Sequence, residues 1–209
     1  MSSHESRAQL EKETGRVEAF SDGVFAIAIT LLVLDLKTPH GDETTLARQL
    51  LQQWPSYVAF LTSFGTIGIM WLNHHRLFSL MHRVDHTLLV LNGLLLLGVT
   101  VTPFPTSLVA EQWGHPGAKL AAGVYSGIFV VIAIFFNALW RYASSPHRRV
   151  SILRVPHDSK DVRAIHEQYK MGPLFYVVAF ALSFWSAAAS VLVCAGLALF
   201  FAIPPRTPD

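Results

Sequence analysis

Residues 16–36 form an apolar run with a carboxylate inside it: Arg16-Val-Glu-Ala-Phe20-Ser21-Asp22-Gly23-Val-Phe-Ala-Ile27, continuing to Leu36. The run is long enough to cross a bilayer, which takes about 20 mostly apolar residues. Asp22 lies about two helical turns into it. A carboxylate at that depth costs about 2.5–3.5 kcal/mol on insertion scales unless a partner or water meets it. This combination restricts the chain to a membrane fold and marks Asp22 as a group that requires a partner.

Four further apolar stretches follow. A second segment runs from about Pro55 to Phe78, with Pro55 near its first turn, where proline is tolerated. A third runs from about His86 to Ser107 and is interrupted late by Pro103 and Pro105. A fourth runs from about Lys119 to Tyr142. The last, Pro173 to Ile203, is too long for one crossing and short for two, and a turn near Ser186 divides it. A single long tilted helix is the alternative there. The expected fold is all-α, with six transmembrane helices per chain. Residues 1–15 form an N-terminal segment, 16–203 the six-helix unit and 204–209 a tail. Composition agrees: 52% of residues are hydrophobic and 14% charged, against about 25% charged in a soluble domain.

Charge distribution orients the segments. With the N-terminus inside, the inner side holds Arg7, Lys12, Arg16, Arg76, Arg83, Arg141, Arg148, Arg149, Arg154, Lys160, Arg163, Lys170 and Arg206, and the outer side holds Lys37, Arg48 and Lys119. That asymmetry follows the positive-inside rule and places both termini in the cytoplasm of a multi-pass cell-membrane protein. The longest polar stretch, Ser144 to Lys170, reads as a cytoplasmic linker beside anionic headgroups, with a short amphipathic helix over Asp158–Tyr169.

The first segment on a helical wheel puts Ile27, Leu31 and Leu34 on one face, with Phe20 and Gly23 extending it and Thr30 beside it. Asp22 and Glu18 occupy another face, and Arg16 is badly spaced to pair with Asp22 along the helix. Its partner therefore comes from another helix. Asn73-His74-His75-Arg76, at the end of the second segment, reaches a similar depth, and an imidazole or guanidinium facing Asp22 offsets its desolvation. Adjacent histidines on a helix diverge, so a metal site is not expected, and no cofactor is implied. The single cysteine, Cys194, suits a small core residue. No nucleophile elbow, phosphate loop or HExxH motif indicates an enzyme, and no basic-aromatic platform indicates nucleic acid.

Arg16-x-x-x-Phe20-Ser21-Asp22, the following Gly-Val-Phe-Ala-Ile-Ala-Ile-Thr-Leu-Leu-Val and the Asn73–Arg76 ending together resemble the transmembrane-protein-175 family of potassium channels, in particular its bacterial members. The resemblance implies a homotetramer with the first helix on the central axis, embedded in lipid and conducting potassium ions. It carries the family's isoleucine constriction onto Ile27, a hydroxyl position onto Thr30, and the pore wall onto Leu31 and Leu34. An apolar ring of this kind gates by dewetting, and no TVGYG-like selectivity loop is present. A ring of Asp35 side chains would concentrate cations at the outer mouth. Arg16, Phe20, Ser21, Asp22, Asn73, His74, His75 and Arg76 form the expected structural network. The alternative is a proton-coupled small transporter using Asp22 with His74 and His75.

Overall fold

The computed structural model describes residues 3–39, 42–146 and 151–203. The expected tail, 204–209, and the cations Arg148, Arg149 and Arg206 lie outside the described residues. Among those described, the chain forms nine α-helices: α1 (Ser3–Leu31), α2 (Glu43–Gln52), α3 (Trp54–Ser79), α4 (His86–Val101), α5 (Pro103–Gln112), α6 (Ala118–Ala143), α7 (Lys160–Tyr169), α8 (Gly172–Ser183) and α9 (Ala187–Ala202). Glu11–Asp35, Trp54–Ser79, His86–Gln112 and Ala118–Ala143 are long and apolar enough to cross a membrane, and Ala187–Ala202 is a shorter apolar helix.

The helix ends follow local chemistry. α1 begins well before the expected Arg16, because the polar residues ahead of it include good helix formers such as Glu, Lys, Gln and Arg. It also stops short of Leu36, tightening into a 3-10 turn over Leu32–Asp35. In a 3-10 turn residues three apart eclipse one another, so Leu34 stays in line with Leu31. Asp85 caps α4 by accepting from Leu88 N at 3.0 Å. Pro103 has no N–H to give the preceding turn, and α4 ends there. Helix resumes at once as α5, with proline at its start, and runs to Gln112 rather than the expected Ser107. The Thr102 and Thr106 hydroxyls donate to the carbonyls of Gly98 and Thr102 across this break. Ser186 is extended and its hydroxyl accepts from Ala189 N at 3.2 Å. That cap divides the last apolar stretch into α8 and α9 where the sequence suggested.

α6 is the core of the bundle, packing against α4, α5, α8 and α9. Phe129, Ile132, Leu139 and Trp140 on it are buried. Small residues let it approach its neighbours: a Cβ at Gly98 of α4 would stand 2.7 Å from Ile132 Cγ1. α1 packs on α3 and α4 at the side of the bundle.

One end of the bundle gathers several connections. Tyr142 donates to Asp85 Oδ2 at 2.9 Å, and Arg154 reaches the Met81 carbonyl at 2.9 Å and Glu11 at 3.8 Å. His82 N and Ile152 O pair at 3.0 Å within a short antiparallel bridge. Asn73 donates to Phe201 O, and Gln168 to Ile203 O, which brings the last residues of α9 to this same end. The N-terminal half of α1, Arg76, Arg83, Arg141, Arg154 and α7 are therefore together, whereas Lys37, Arg48 and Lys119 lie toward the other end.

Candidate functional site

α1 is apolar on two sides, and the chain covers one of them. Phe25, Ala28 and Leu32 are buried against α3 and α4. Phe20, Ile27, Leu31 and Leu34 are exposed by 66%, 60%, 38% and 74%. Gly23 on the same side has nothing within 4 Å of the place a Cβ would occupy. Such a stripe on one chain needs lipid or another protein surface to cover it. Thr30 Oγ1 donates to Ile27 O at 2.9 Å. Its proton is thus committed to the backbone, leaving the hydroxyl lone pairs to face outward. Asp35 is half-buried, with Ser107 and Glu111 of the α5 segment beside its carboxyl group. Lys37 pairs with Glu111 at 2.8 Å.

The polar residues at the other end of α1 separate into three sets. In the first, Asn92 of α4 donates to Ser21 Oγ at 2.9 Å, and its carbonyl oxygen lies 2.9 Å from His74 Nε2. An amide oxygen only accepts, so His74 carries its proton on Nε2. Ser21 passes its own proton to Val17 O at 2.8 Å. Ser21, Asn92 and His74 are all buried, and the His74 ring lies 4.3 Å from Phe78 and 5.4 Å from Phe25. His74 Nδ1 has no partner.

In the second set the Trp71 indole donates to Asp22 Oδ1 at 2.8 Å, and His75 Nδ1 meets Glu18 Oε1 at 2.8 Å. Asp22 was expected to face His74, His75 or Arg76. Its hydrogen-bond donor is instead Trp71, on the same face of α3 as His75 and one turn earlier, and the two rings stack at 6.3 Å. An indole N–H stabilises a carboxylate without adding a second charge to a membrane segment.

In the third set Asn73 accepts from Tyr169 at 2.8 Å and from Arg76 at 3.4 Å, and donates to the Ile69 and Phe201 carbonyls. Burial pushes the Tyr169 hydroxyl above its ordinary pKa, so it stays a neutral donor to Asn73. Arg16 and Phe20 join none of these sets. They line a groove between α1 and α4 with Val84, Leu89 and Gly93. Among the described residues no group of three or more His, Cys, Asp or Glu side chains is placed to hold a metal ion.

Residues 16–103 match the family model described as endosomal/lysosomal potassium channel TMEM175. A potassium channel of Chamaesiphon minutus is 55% identical over 92% of this chain and 95% of its own length. The chain belongs to the TMEM175 family. A potassium channel of Streptomyces collinus is 45% identical over 90% of this chain and 91% of its own. The crystal structure of a lysosomal potassium-selective TMEM175 homolog from Chamaesiphon minutus superposes with a TM-score of 0.82 at 56% identity, covering 91% of this chain and 97% of that one.

In this TMEM175 chain sequence reasoning overlooked Trp71, Asn92 and Tyr169, and it placed Glu18 beside Asp22 without giving it a partner. Asn92 carried a readable signal, since an amide in the middle of a leucine-rich membrane segment requires an interhelical partner. Trp71 carried one too: it precedes His75 by one turn and shares its face.

Proposed function

We propose that this chain is one subunit of a potassium-permeable channel formed by four copies around a central axis, with α1 of each copy lining the pore. The observation that carries the reading is the bare apolar face of α1, in a chain similar over nearly its full length to proteins named potassium channels. A six-helix unit has little room for a water path of its own. Four copies cover the stripe and enclose a path in one step, and closed symmetry leaves no open interface.

In this arrangement rings of Ile27, Leu31 and Leu34 form a narrow apolar constriction that conducts when wetted and closes by dewetting. Thr30 presents hydroxyl oxygens beside the Ile27 ring to a passing ion. Asp35 raises the local cation concentration at the outer mouth. Residues 16–203 make the channel unit, crossing the lipid six times with both ends cytoplasmic. The grouping of basic side chains at the end of the bundle that holds the start of α1 and the end of α9 supports that orientation. Arg16, Phe20, Ser21, Asp22 and the Asn73–Arg76 segment hold α1 in place rather than conduct.

The test is cysteine at Ile27 in a Cys194→Ala background, reconstituted in liposomes. Oxidant should cross-link subunits, and potassium efflux should fall when the cysteine is modified. A monomer in lipid with no cross-link and unchanged efflux refutes the pore assignment.

A further inference from the structure

A pocket of roughly 370 Å³ opens at the arginine-rich end of the bundle, between the last turn of α6, the chain just after it and α7. Its charged and titratable walls are Arg141, His157, Arg163, His166 and Glu167. Among the described residues neither the Arg141 nor the Arg163 guanidinium has an ion-pair or hydrogen-bond partner in the chain. The one acidic wall is already answered: Lys170 forms an ion pair with Glu167 and holds its carboxyl below the usual carboxylate range. His157 is fixed by its bond to Ser144 O at 3.1 Å. Among the described residues the recess thus keeps two guanidinium groups without a side-chain partner.

Its depth is set by α6. That helix has 26 residues, which is about 39 Å of helix against roughly 30 Å of hydrocarbon. Arg141, in its last turn, stands where headgroups begin. α7 lies alongside with Val162, Ala164, Ile165 and Tyr169 buried, and Lys160, Arg163, His166 and Lys170 exposed. We propose that this recess binds the phosphate of an anionic phospholipid. A guanidinium fork matches phosphate oxygens, and a basic recess at this level suits an anionic headgroup whose acyl chains remain in the bilayer. The proposal rests on membrane embedding and is independent of where the pore lies.

Full-length protein purified in detergent tests it, with dioleoyl phosphatidylglycerol, dioleoyl phosphatidylcholine and inorganic phosphate as probes. Intact-complex mass spectrometry and thermal melting are the readouts. Phosphatidylglycerol should be retained and raise the melting temperature, while phosphatidylcholine does neither. Arg141→Gln/Arg163→Gln should weaken phosphatidylglycerol binding about thirtyfold. Arg48→Gln/Lys119→Gln, at the opposite end, should leave it intact. If the double variant does not purify, Arg163→Gln alone, exposed on α7, should weaken binding about fivefold. Equal retention of both lipids, or equal loss in the two double variants, overturns the proposal. Inorganic phosphate matching phosphatidylglycerol in both readouts overturns the lipid assignment and gives the recess to a soluble phosphate.

Discussion

Asn92→Leu is the sharpest test of how α1 is held. The amide joins α1 to α3 through α4, bonded to Ser21 on one side and His74 on the other. Leucine keeps the volume, so the cost comes from polar atoms rather than from a cavity. Ser21 retains its bond to Val17 O. His74 retains none, because Nε2 loses Asn92 and Nδ1 has no partner to begin with. Two hydrogen bonds between membrane helices are worth about 0.6 kcal/mol each, and a buried polar group stripped of its last partner costs about 1–3 kcal/mol. The sum is about 2–4 kcal/mol. At roughly 2–4 °C per kcal/mol for a chain of this size, the melting temperature should fall by about 5–15 °C. Tryptophan-fluorescence melting at one scan rate in detergent measures it. Adding His74→Phe removes the stranded imidazole and keeps a ring against Phe25 and Phe78, so the double variant should regain at least half the loss. An Asn92→Leu protein melting within a degree of the parent, or a double variant melting lower still, refutes the reasoning.

Ile27→Asn should hydrate the constriction, raising potassium conductance and weakening discrimination against sodium, as read by reversal potentials in planar bilayers. Asp22→Ala removes the acceptor of the Trp71 indole. Asp22 is only half-buried within one chain, so each subunit should lose about 1 kcal/mol, while the tetramer yield in size-exclusion chromatography falls more than subunit melting does. Gly98→Ala should destabilise by about 1–3 kcal/mol because its Cβ meets Ile132 Cγ1 at 2.7 Å. Adding Ile132→Ala should relieve that clash in the same melting assay.

Features with a local cause were legible in the sequence. Hydropathy and Pro55 locate α3, an apolar run bounded by polar residues locates α6, and a serine between two apolar stretches locates the α8–α9 turn. The amphipathic α7 was legible as the mixed polar and apolar stretch Asp158–Tyr169. The wheel grouped Ile27, Leu31 and Leu34 on one face of α1, while the family resemblance rather than the wheel singled that face out; the packing of α1 on α3 and α4 leaves it exposed. What escaped depends on tertiary placement. The choice of Trp71 over His74 as the partner of Asp22 depends on the rotation of α3 about its axis, and hydropathy carries no information on that angle. The N-terminal turns of α1 escaped for a different reason, since membrane periodicity is silent on a polar helix that continues past the lipid.

The shortness of α8 and α9 bears on the lipid around the protein. With 12 and 16 residues, they extend about 18 and 24 Å, less than a hydrocarbon core of about 30 Å. Phe184 and Trp185 at their junction are exposed by 65% and 75%, as suits aromatic rings that settle at an interface. If the hairpin crosses the lipid as the six-span reading proposes, a bilayer meets this corner by thinning around it, at a cost that grows with acyl-chain length. In that arrangement hydrophobic mismatch is asymmetric around the chain, with too little length at one hairpin and enough in the longer helices. Shorter-chain lipids should gather at that corner, and bilayer thickness becomes a lever on the stability of α8 and α9 relative to the rest of the bundle.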